Sequence, residues 1–486
     1  MRVQRPSGYA SSGIRHRLRV EKPTIKILFY TDDPVGIKDD DSFLGLRSLR
    51  FRLQAHKPAA ADFGVDFVSR SSTIANHADN KIDVVLDREV KQTGQPFDEI
   101  WFFGTHQTTT TSFAAGALGG GPQSELDAGE VDALRQWLDV RTGVGGGVMI
   151  SGDHSEKRPN NAVTVSPPVC EDDSSADDPL ALGRALGRCV PRAGLMRKWA
   201  GGPTSTGDNH NTVVGGGLQQ DGRPQTFRLV TFDASGHPNL AGSPHPLFFY
   251  RANSFINVLP DHDHEGALVD VFDPTKWPIV KGVPQPLPQV VAVATNQRNQ
   301  TEFNLLSAYD GDSVDVGRIV ADSSWHHYLG GNLGNFPHPA PANTEADKIG
   351  QFYGNLGLWL APRSKRTQMA QALLWELANL ALVMGEYQED RLGTFAYITL
   401  LQMASPCEIH EFFNVLVNDS PENASEMRGV LNQFRGSEVL LGGILSSYHR
   451  EIRSSRVDSD NYEAPTPDVV IQHGINRAVE LSRISR

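Results

Sequence analysis

The sequence predicts an α/β fold: a mostly parallel sheet with helices on both faces, followed by a C-terminal helical region. Short apolar runs bounded by turn residues alternate with segments whose apolar residues recur at helical spacing. Such alternation is typical of parallel sheets covered by helices. Near residue 340 the strand-like runs stop and the helical spacing continues, which indicates a separate group of helices.

Four strand-like runs begin the sheet. They are TIKILFY at 24–30, FGVDFVSR at 63–70, FDEIWFFGT at 97–105 and VMIS at 148–151. The first run is followed by a predicted helix, which ends before Pro58. Its apolar face consists of Phe43, Leu46, Leu49 and Leu53. A polar stretch joins the second run to the third, and no helix is predicted there.

A second helix is predicted between the third and fourth runs. Ser124 is a suitable N-cap, and the glycines at 145–147 lead into the next strand. The apolar face of this helix consists of Leu126, Val131, Leu134 and Leu138. The stretch GGGVMISGDHSEK therefore predicts a strand that runs into an exposed polar corner, where α/β enzymes often hold reactive groups.

Changes in composition and in the spacing of apolar residues divide the chain into four parts. They are a basic tail at 1–23, an α/β domain at 24–340 with an insertion around 155–245, a helical domain at 341–456, and a tail with a short helix at 457–486. Strand-like runs resume after the insertion, and we expect them to extend the same sheet, some of them antiparallel.

Composition and charge exclude several classes of function. The chain has 486 residues, of which 39% are hydrophobic and 21% charged, so it is long enough for more than one core. Its net charge of −12 disfavours nucleic acid and anionic membranes as partners. A small polar molecule remains as the expected ligand, and the C-terminal helices suit a homo-oligomer contact or a protein partner.

Cysteine usage and the N-terminus favour a cytoplasmic protein. The three cysteines, Cys170, Cys189 and Cys407, are widely spaced and odd in number, which does not suggest a disulfide framework. The first 23 residues are basic but lack the apolar core of a signal peptide, and no run reaches the roughly 18 to 20 apolar residues of a membrane span.

Polar residues follow several predicted strands at what should be the carboxyl edge of the sheet. Asp32 and Asp33 follow the first strand, His106 the third, and Asp153 and His154 the fourth. Ligands of open α/β sheets bind at this edge, so we expect these residues to converge as an acid–base or ligand-binding group. The alternative is local: Asp153 would cap the next element, and the paired aspartates would close a turn before Pro34.

Histidines supply candidate metal ligands and a further catalytic group. His262 and His264 face the same side of an extended segment, so both could bind one divalent metal, zinc or iron. A solvated polar turn is the alternative for this segment. In SSWHHYLGGN, His326 and His327 point in opposite directions if the backbone is extended, so one of them would reach the site. We favour His326 as the catalytic one.

Arginines in the insertion form another candidate ligand-binding group. Arg192 and Arg197 lie near Trp199, and such a group can clamp a carboxylate or a phosphate. The alternative is a solvated basic face whose charge complements that of the acidic EDDSSADD segment before it.

The order FDEIWFFGT, LDAGEVDALRQWLD and GVGGGVMISGDHS, with a later GRIVADSSWHHYLGGNL, resembles the class I glutamine amidotransferase-like superfamily, especially its trehalose-utilisation (ThuA-like) branch. The resemblance covers about residues 24 to 335. It implies an active corner after the fourth strand, with His154 matching a histidine of that branch. The corner reads Ile150-Ser151-Gly152 where glutaminases carry a cysteine, so no thiol-dependent glutaminase activity is expected.

Two functions are compatible with these residues. The first is a hydrolase of a small polar or sugar-like substrate, with Asp153 and His154 as an acid–base pair and His262, His264 and His326 as ligands or orienting groups, with or without a metal. The second is a non-catalytic scaffold or ligand-sensing subunit of a larger assembly, which contacts a partner through its C-terminal helices.

Overall fold

The computed structural model describes residues 22–32, 37–70, 78–103, 128–151, 197–198, 213–214, 217–218, 224–233, 237–251, 254–260, 267–268, 279–280, 283–284, 286, 289–295, 302–323, 326–384, 389–418, 424–431, 436–457, 473 and 475–477. These residues fall into two compact units. The sheet unit comprises the described residues of Thr24–Arg366 and Ala404–Glu411, and the helical unit comprises the described residues of Met1–Pro23, Thr367–Met403 and Phe412–Arg486. The domain boundaries predicted from composition and apolar spacing stay predictions.

Five parallel strands form one half of the main sheet. They are β1 (Thr24–Asp32), β2 (Asp62–Arg70), β3 (Glu99–Phe103), β4 (Gly147–Ser151) and β20 (Ile319–Asp322). Their order is β2-β1-β3-β4-β20. Among the parallel strands alone this is the 2-1-3-4-5 order of flavodoxin-like sheets, with the reversal of order between β1 and β3. The strands β3, β4 and β20 are buried throughout, as expected for strands covered on both faces.

Antiparallel strands extend this sheet beyond β20, so that ten strands of the described chain belong to it. β19 (Glu302–Tyr309) pairs with β20, and both β18 (Gln289–Thr295) and β15 (Ala267–Leu268) pair with β19. β9 (Arg228–Leu229) and β5 (Arg197–Lys198) pair with β18 and β15. The structure thus confirms an α/β fold whose sheet is extended by antiparallel strands.

Short strands outside the main sheet form separate pairs. These are β6 (Val213–Val214) with β7 (Gly217–Leu218), β8 (Pro224–Thr226) with β14 (Val258–Pro260), β10 (Thr231–Phe232) with β11 (Ser243–Pro244), β12 (Phe249–Arg251) with β13 (Ser254–Phe255), and β16 (Ile279–Val280) with β17 (Val283–Pro284).

Helices cover both faces of the parallel strands. On one face, α2 (Ile82–Thr93) and α3 (Ala128–Leu138) share a buried core with residues such as Tyr30 and Phe102. On the other face lie α1 (Arg47–Ala55), the short α4 (Gly330–Leu333) and α5 (Glu345–Leu360). Alternate residues of each strand therefore face different helices, as the two-residue period of a strand requires.

Two features of these helices differ from the sequence-based expectations. The first helix begins at Arg47 rather than near Phe43, because residues 38–46 form a turn in which the Leu46 N–H donates to the Lys38 carbonyl. Phe43 is consequently 48% exposed instead of buried. α2 occupies the stretch where no helix is predicted, and it ends at Gly94 with φ 72°.

The glycine run before β4 is held tightly in place. Gly145 has φ 65°, a conformation that L side chains rarely adopt. A Cβ at Gly147 would lie 2.0 Å from the carbonyl oxygen of Leu360, at the end of α5. The strand can therefore approach the helix this closely only because residue 147 has no side chain.

The helical unit contains most of the last five helices. These are α6 (Arg363–Met384), α7 (Glu389–Met403), α8 (Pro406–Asn418), α9 (Ala424–Leu431) and α10 (Gly436–Val457). The first residues of α6 and α8 belong to the sheet unit. Within the helical unit α7 packs on α10 at Gly393, where a Cβ would lie 1.9 Å from the Glu438 carbonyl oxygen. Among the described helices, none has the length and apolar content that crossing a membrane requires.

Candidate functional site

The five parallel strands share one row of residues at or next to their last positions, at the carboxyl edge of the sheet. Thr31 pairs with both Ser69 and Phe103, Phe103 pairs with Ser151, and Ser151 pairs with Asp322. Residues in register on parallel strands point to the same face, and neighbouring strands are about 4.8 Å apart. We call Ser69, Thr31, Phe103, Ser151 and Asp322 the edge row. It crosses the point between β1 and β3 where flavodoxin-like sheets bind ligands.

Several hydroxyl groups at this edge are buried without a hydrogen-bond partner in the described part of the chain. They are Oγ1 of Thr31, Oγ of Ser69, and Oγ of Ser323, which follows β20. Ser151 differs, because its Oγ donates to the Phe102 carbonyl over 3.1 Å. Buried polar groups without a partner are rare in proteins, and they are the groups that a bound polar molecule can satisfy.

A histidine is bonded to the acid at the end of the edge row. Nδ1 of His327 lies 2.9 and 3.0 Å from the two carboxylate oxygens of Asp322. Because a carboxylate only accepts hydrogen bonds, Nδ1 carries the proton in this pair. Both side chains are buried, at 1% exposure or less. Burial strengthens their interaction, since the surrounding dielectric constant is low.

Two buried tyrosines hold this pair. Tyr328 Oη donates to Oδ2 of Asp322 over 2.7 Å, and Tyr353 Oη donates to the His327 carbonyl over 2.5 Å. Burial raises the pKa of Tyr328 well above its ordinary value, and the Asp322 charge raises it further. Burial likewise raises the pKa of Tyr353. Both phenols therefore remain protonated donors over the physiological pH range. We call Asp322, His327, Tyr328 and Tyr353 the edge cluster.

Aromatic side chains of the sheet fix the Tyr328 ring. Its centroid lies 5.5 Å from that of Phe103, 6.4 Å from that of Trp101 and 5.7 Å from that of Tyr353. These rings are buried, so the phenol has little freedom to turn away from Asp322. Trp101 and Phe103 both reach the Tyr328 ring because alternate residues of a strand lie on the same face.

The neighbouring His326 has other contacts. Its side chain is 4% exposed, and its carbonyl accepts a hydrogen bond from Nδ2 of Asn332 over 2.8 Å. The two histidines belong to a 3-10 turn, His326–Tyr328, rather than to an extended strand. The acid contact described above belongs to His327. A catalytic role for His326 stays a prediction.

Most other predicted site residues lie outside the described residues. These are Asp33, His106, Asp153, His154, Arg192, His262 and His264. The backbones of two others are described: Asp32 ends β1, paired with Arg70, and Arg197 lies in β5, paired with Leu268. The side chains of Asp32 and Arg197 are not described. Convergence of these residues at the carboxyl edge therefore stays a prediction.

A metal centre also stays a prediction. In the part of the chain that the structure describes, no group of three or more His, Cys, Asp or Glu side chains could hold a metal ion. The edge cluster contains one carboxylate and one imidazole, which is fewer ligands than a zinc site uses. Cys407 is buried, and burial raises the pKa of its thiol well above the ordinary value, so it is not a reactive nucleophile.

Charged residues are concentrated at the opposite, amino edge of the sheet unit. Arg318, which precedes β20, contacts Glu411 at 2.8 Å, Asp310 at 3.1 Å and Asp312 at 3.2 Å. Arg366 contacts Asp312 at 2.6 Å and Glu411 at 3.4 Å. We call these five residues the ion network.

The centre of the ion network is buried, while Asp310 and Asp312 reach its more exposed side. The side chains of Arg318, Arg366 and Glu411 are each 2% exposed. Burial alone would raise the pKa of Glu411, but the two arginines outweigh it and hold the pKa below its ordinary value. The network also includes neutral partners, since Arg318 donates to the Trp359 carbonyl over 3.0 Å. This arrangement is that of a structural element rather than of a reactive site.

Comparison with models of known families, with curated proteins and with solved structures found no match for the chain. A function for the chain is therefore inferred from the geometry of its own residues.

Proposed function

We propose that the protein is an amidotransferase-like α/β hydrolase of a small polar or sugar-like substrate, in which His327 is the general base and Asp322 orients it. The observation that carries the proposal is the buried hydrogen bond between Asp322 and Nδ1 of His327 at the carboxyl edge of the parallel sheet. Asp153 and His154, which follow β4 in the chain, are the further acid–base candidates.

The chemistry follows from the tautomer. With the proton on Nδ1 donated to Asp322, Nε2 of His327 is the basic nitrogen of the ring. The carboxylate stabilises the imidazolium that forms when Nε2 takes a proton from water or a substrate hydroxyl. A positioned base of this kind typically contributes about 10²- to 10⁴-fold to a rate.

The position of the pair supports a ligand-binding role. It lies at the edge where open α/β sheets bind ligands, in register with the buried hydroxyls of Thr31 and Ser151. A polar substrate matches these hydroxyls better than an apolar one. The resemblance of the sequence to the ThuA-like branch points to the same edge. The absence of a cysteine from the stretch 147–151 agrees with a mechanism that does not use a thiol.

The second candidate is a non-catalytic ligand-sensing or scaffold subunit. The observation that favours it is the burial of Asp322 and His327, each at 1% exposure. A buried, hydrogen-bonded pair can serve to hold the carboxyl edge in one conformation. In this case a polar ligand would raise the melting temperature of the protein and would not be converted.

The two functions are separated by an activity screen of the purified full chain with nitrophenyl esters, nitrophenyl glycosides and nitroanilides. We expect hydrolysis of one class, and a fall in kcat/KM of about 100-fold or more in His327→Gln. His56→Gln is the matched control, because His56 belongs to the same unit and burial lowers its pKa to about 4, so it is neutral.

Equal activity of the His327→Gln variant and the unmodified protein would remove His327 from the mechanism. Stabilisation by a sugar without turnover in the same screen would favour the sensing role. Elemental analysis of the same preparation tests the metal-assisted form, which requires zinc or iron in proportion to protein and its loss in His262→Ala and His264→Ala.

A further inference from the structure

Asp322 accepts hydrogen bonds from two consecutive residues. His327 donates from Nδ1, and Tyr328 donates from Oη to Oδ2 over 2.7 Å. Both donors come from one 3-10 turn, His326–Tyr328, while the acceptor ends β20. The carboxylate is therefore clamped between the turn and the sheet.

The two donors share the charge of one carboxylate. A hydrogen bond to an ionised acceptor is stronger than one between neutral groups, and each bond withdraws some of the charge that the other could use. The phenol therefore limits how strongly the carboxylate attracts the imidazole. Because the Tyr328 ring is wedged among Phe103, Trp101 and Tyr353, its hydroxyl is presented to Asp322 in a fixed direction.

We propose that Tyr328 is a positioning residue, which holds Asp322 against His327 and sets the strength of the bond between them. This inference rests on the proposed role of His327 as a base. Tyr328 acts through Asp322 and His327 and is not assigned a contact with substrate.

Tyr353 provides the comparison within the same cluster. Its hydroxyl donates to the backbone carbonyl of His327 and has no hydrogen bond to Asp322 among the described contacts. Both tyrosines are fully buried and lose one hydroxyl when changed to phenylalanine. Of the two, only the Tyr328 hydroxyl donates to the carboxylate among the described contacts.

The charged and titratable groups around the bond come from several elements. Asp322 belongs to β20, His326 and Tyr328 to the turn, and Tyr353 to α5. Arg52 of α1 is 5% exposed and acts electrostatically on Tyr353. Arg52 is common to the variants below, so its effect cancels in their comparison.

The test is nuclear magnetic resonance of the full chain labelled with ¹⁵N-histidine, with His327→Gln used to assign the His327 signals. In Tyr328→Phe we expect the Nδ1 proton of His327 to move downfield, because Asp322 loses its second donor and accepts more strongly from Nδ1. For the same reason we expect the pKa of His327 to rise by about 1. In Tyr353→Phe both quantities should stay close to those of the unmodified protein.

Site-specific fluorotyrosine at position 328 covers the case in which Tyr328→Phe does not fold. It is close to tyrosine in size and is a stronger donor, so the Nδ1 proton should move upfield. Unchanged His327 signals in both Tyr328 replacements, or equal changes in the Tyr328 and Tyr353 variants, would overturn the inference. The measurement needs no substrate, so a failed search for hydrolysis rejects the proposed function without deciding this one.

Discussion

The two edges of the sheet unit show opposite uses of polar side chains. At the amino edge each of the three acids of the ion network contacts one or both of its two arginines. At the carboxyl edge Asp322 is bonded to an imidazole and a phenol, and neighbouring hydroxyls have no partner in the described chain. Within the ion network, charges of opposite sign therefore lie in contact with one another. The carboxyl edge buries hydroxyls without a partner in the described chain, which is rare in proteins, and the proposed ligand would satisfy them.

The largest expected effect comes from breaking the ion network. Glu411→Gln removes the carboxylate that pairs with both Arg318 and Arg366, whose side chains stay buried. Removing one partner of a buried ion pair typically costs about 3 to 5 kcal/mol. We expect a loss of that order in the free energy of unfolding, measured by urea denaturation.

Glu302→Gln is the control for that variant. It removes the pair between Glu302 and Arg228, whose side chains are both 56% exposed, and exposed pairs contribute little. Similar losses in the two variants would show that burial does not distinguish the ion network from the surface.

A smaller effect of opposite sign is expected at the carboxyl edge. Thr31→Val removes a buried hydroxyl that has no partner in the described chain and keeps the shape of the side chain. We expect the free energy of unfolding to rise by about 1 kcal/mol, because the penalty for burying that hydroxyl disappears.

Ser151→Ala is the matched variant in the same row, and its hydroxyl is bonded to the Phe102 carbonyl. We expect a loss of about 1 kcal/mol there. If Thr31→Val is destabilised as much as Ser151→Ala, the Thr31 hydroxyl has a structural partner and the contrast between the edges weakens.

The remaining effect depends on pH and concerns an acid at the amino edge that stands apart from the ion network. Glu99 begins β3 and is completely buried, with Oε2 accepting from Nε1 of Trp101 over 2.8 Å. Burial raises the pKa of Glu99 well above its ordinary value. The folded state therefore retains this proton, and the associated stability is lost as pH rises above the ordinary glutamate pKa.

Glu99→Gln should remove that part of the pH dependence. Urea midpoints measured from pH 4 to pH 8 should fall less steeply with pH in the variant than in the unmodified protein. Parallel curves would mean that Glu99 titrates in the folded state as it does in the unfolded chain.

The sequence predicts the parallel strands well because their signal is local. Runs such as TIKILFY and VMIS are apolar, short and bounded by turn residues, and they become β1 and β4. The helix α2 shows where such analysis stops. Its buried residues Ile82, Val85 and Leu86 have helical spacing and Gly94 ends it, but acidic and basic residues between them give the segment a polar texture.

The edge cluster depends on contacts that no sequence spacing specifies. Asp322 lies five residues before His327, and it reaches the ring only because the chain enters a 3-10 turn at His326. Tyr353 comes from α5, 26 residues beyond His327. The extended backbone assumed for the adjacent histidines does not occur. The pairing of Asp322 with Ser151 follows from strand order, which local patterns leave open.

The glycine run before β4 has a consequence for how this protein can vary. Any single-nucleotide change in a glycine codon that alters the residue introduces a side chain with a Cβ, and a Cβ at Gly147 meets the Leu360 carbonyl. Gly145 resists the same changes through its positive φ. A library of random variants selected for folding should therefore recover glycine at both codons, whatever substrate the selection uses.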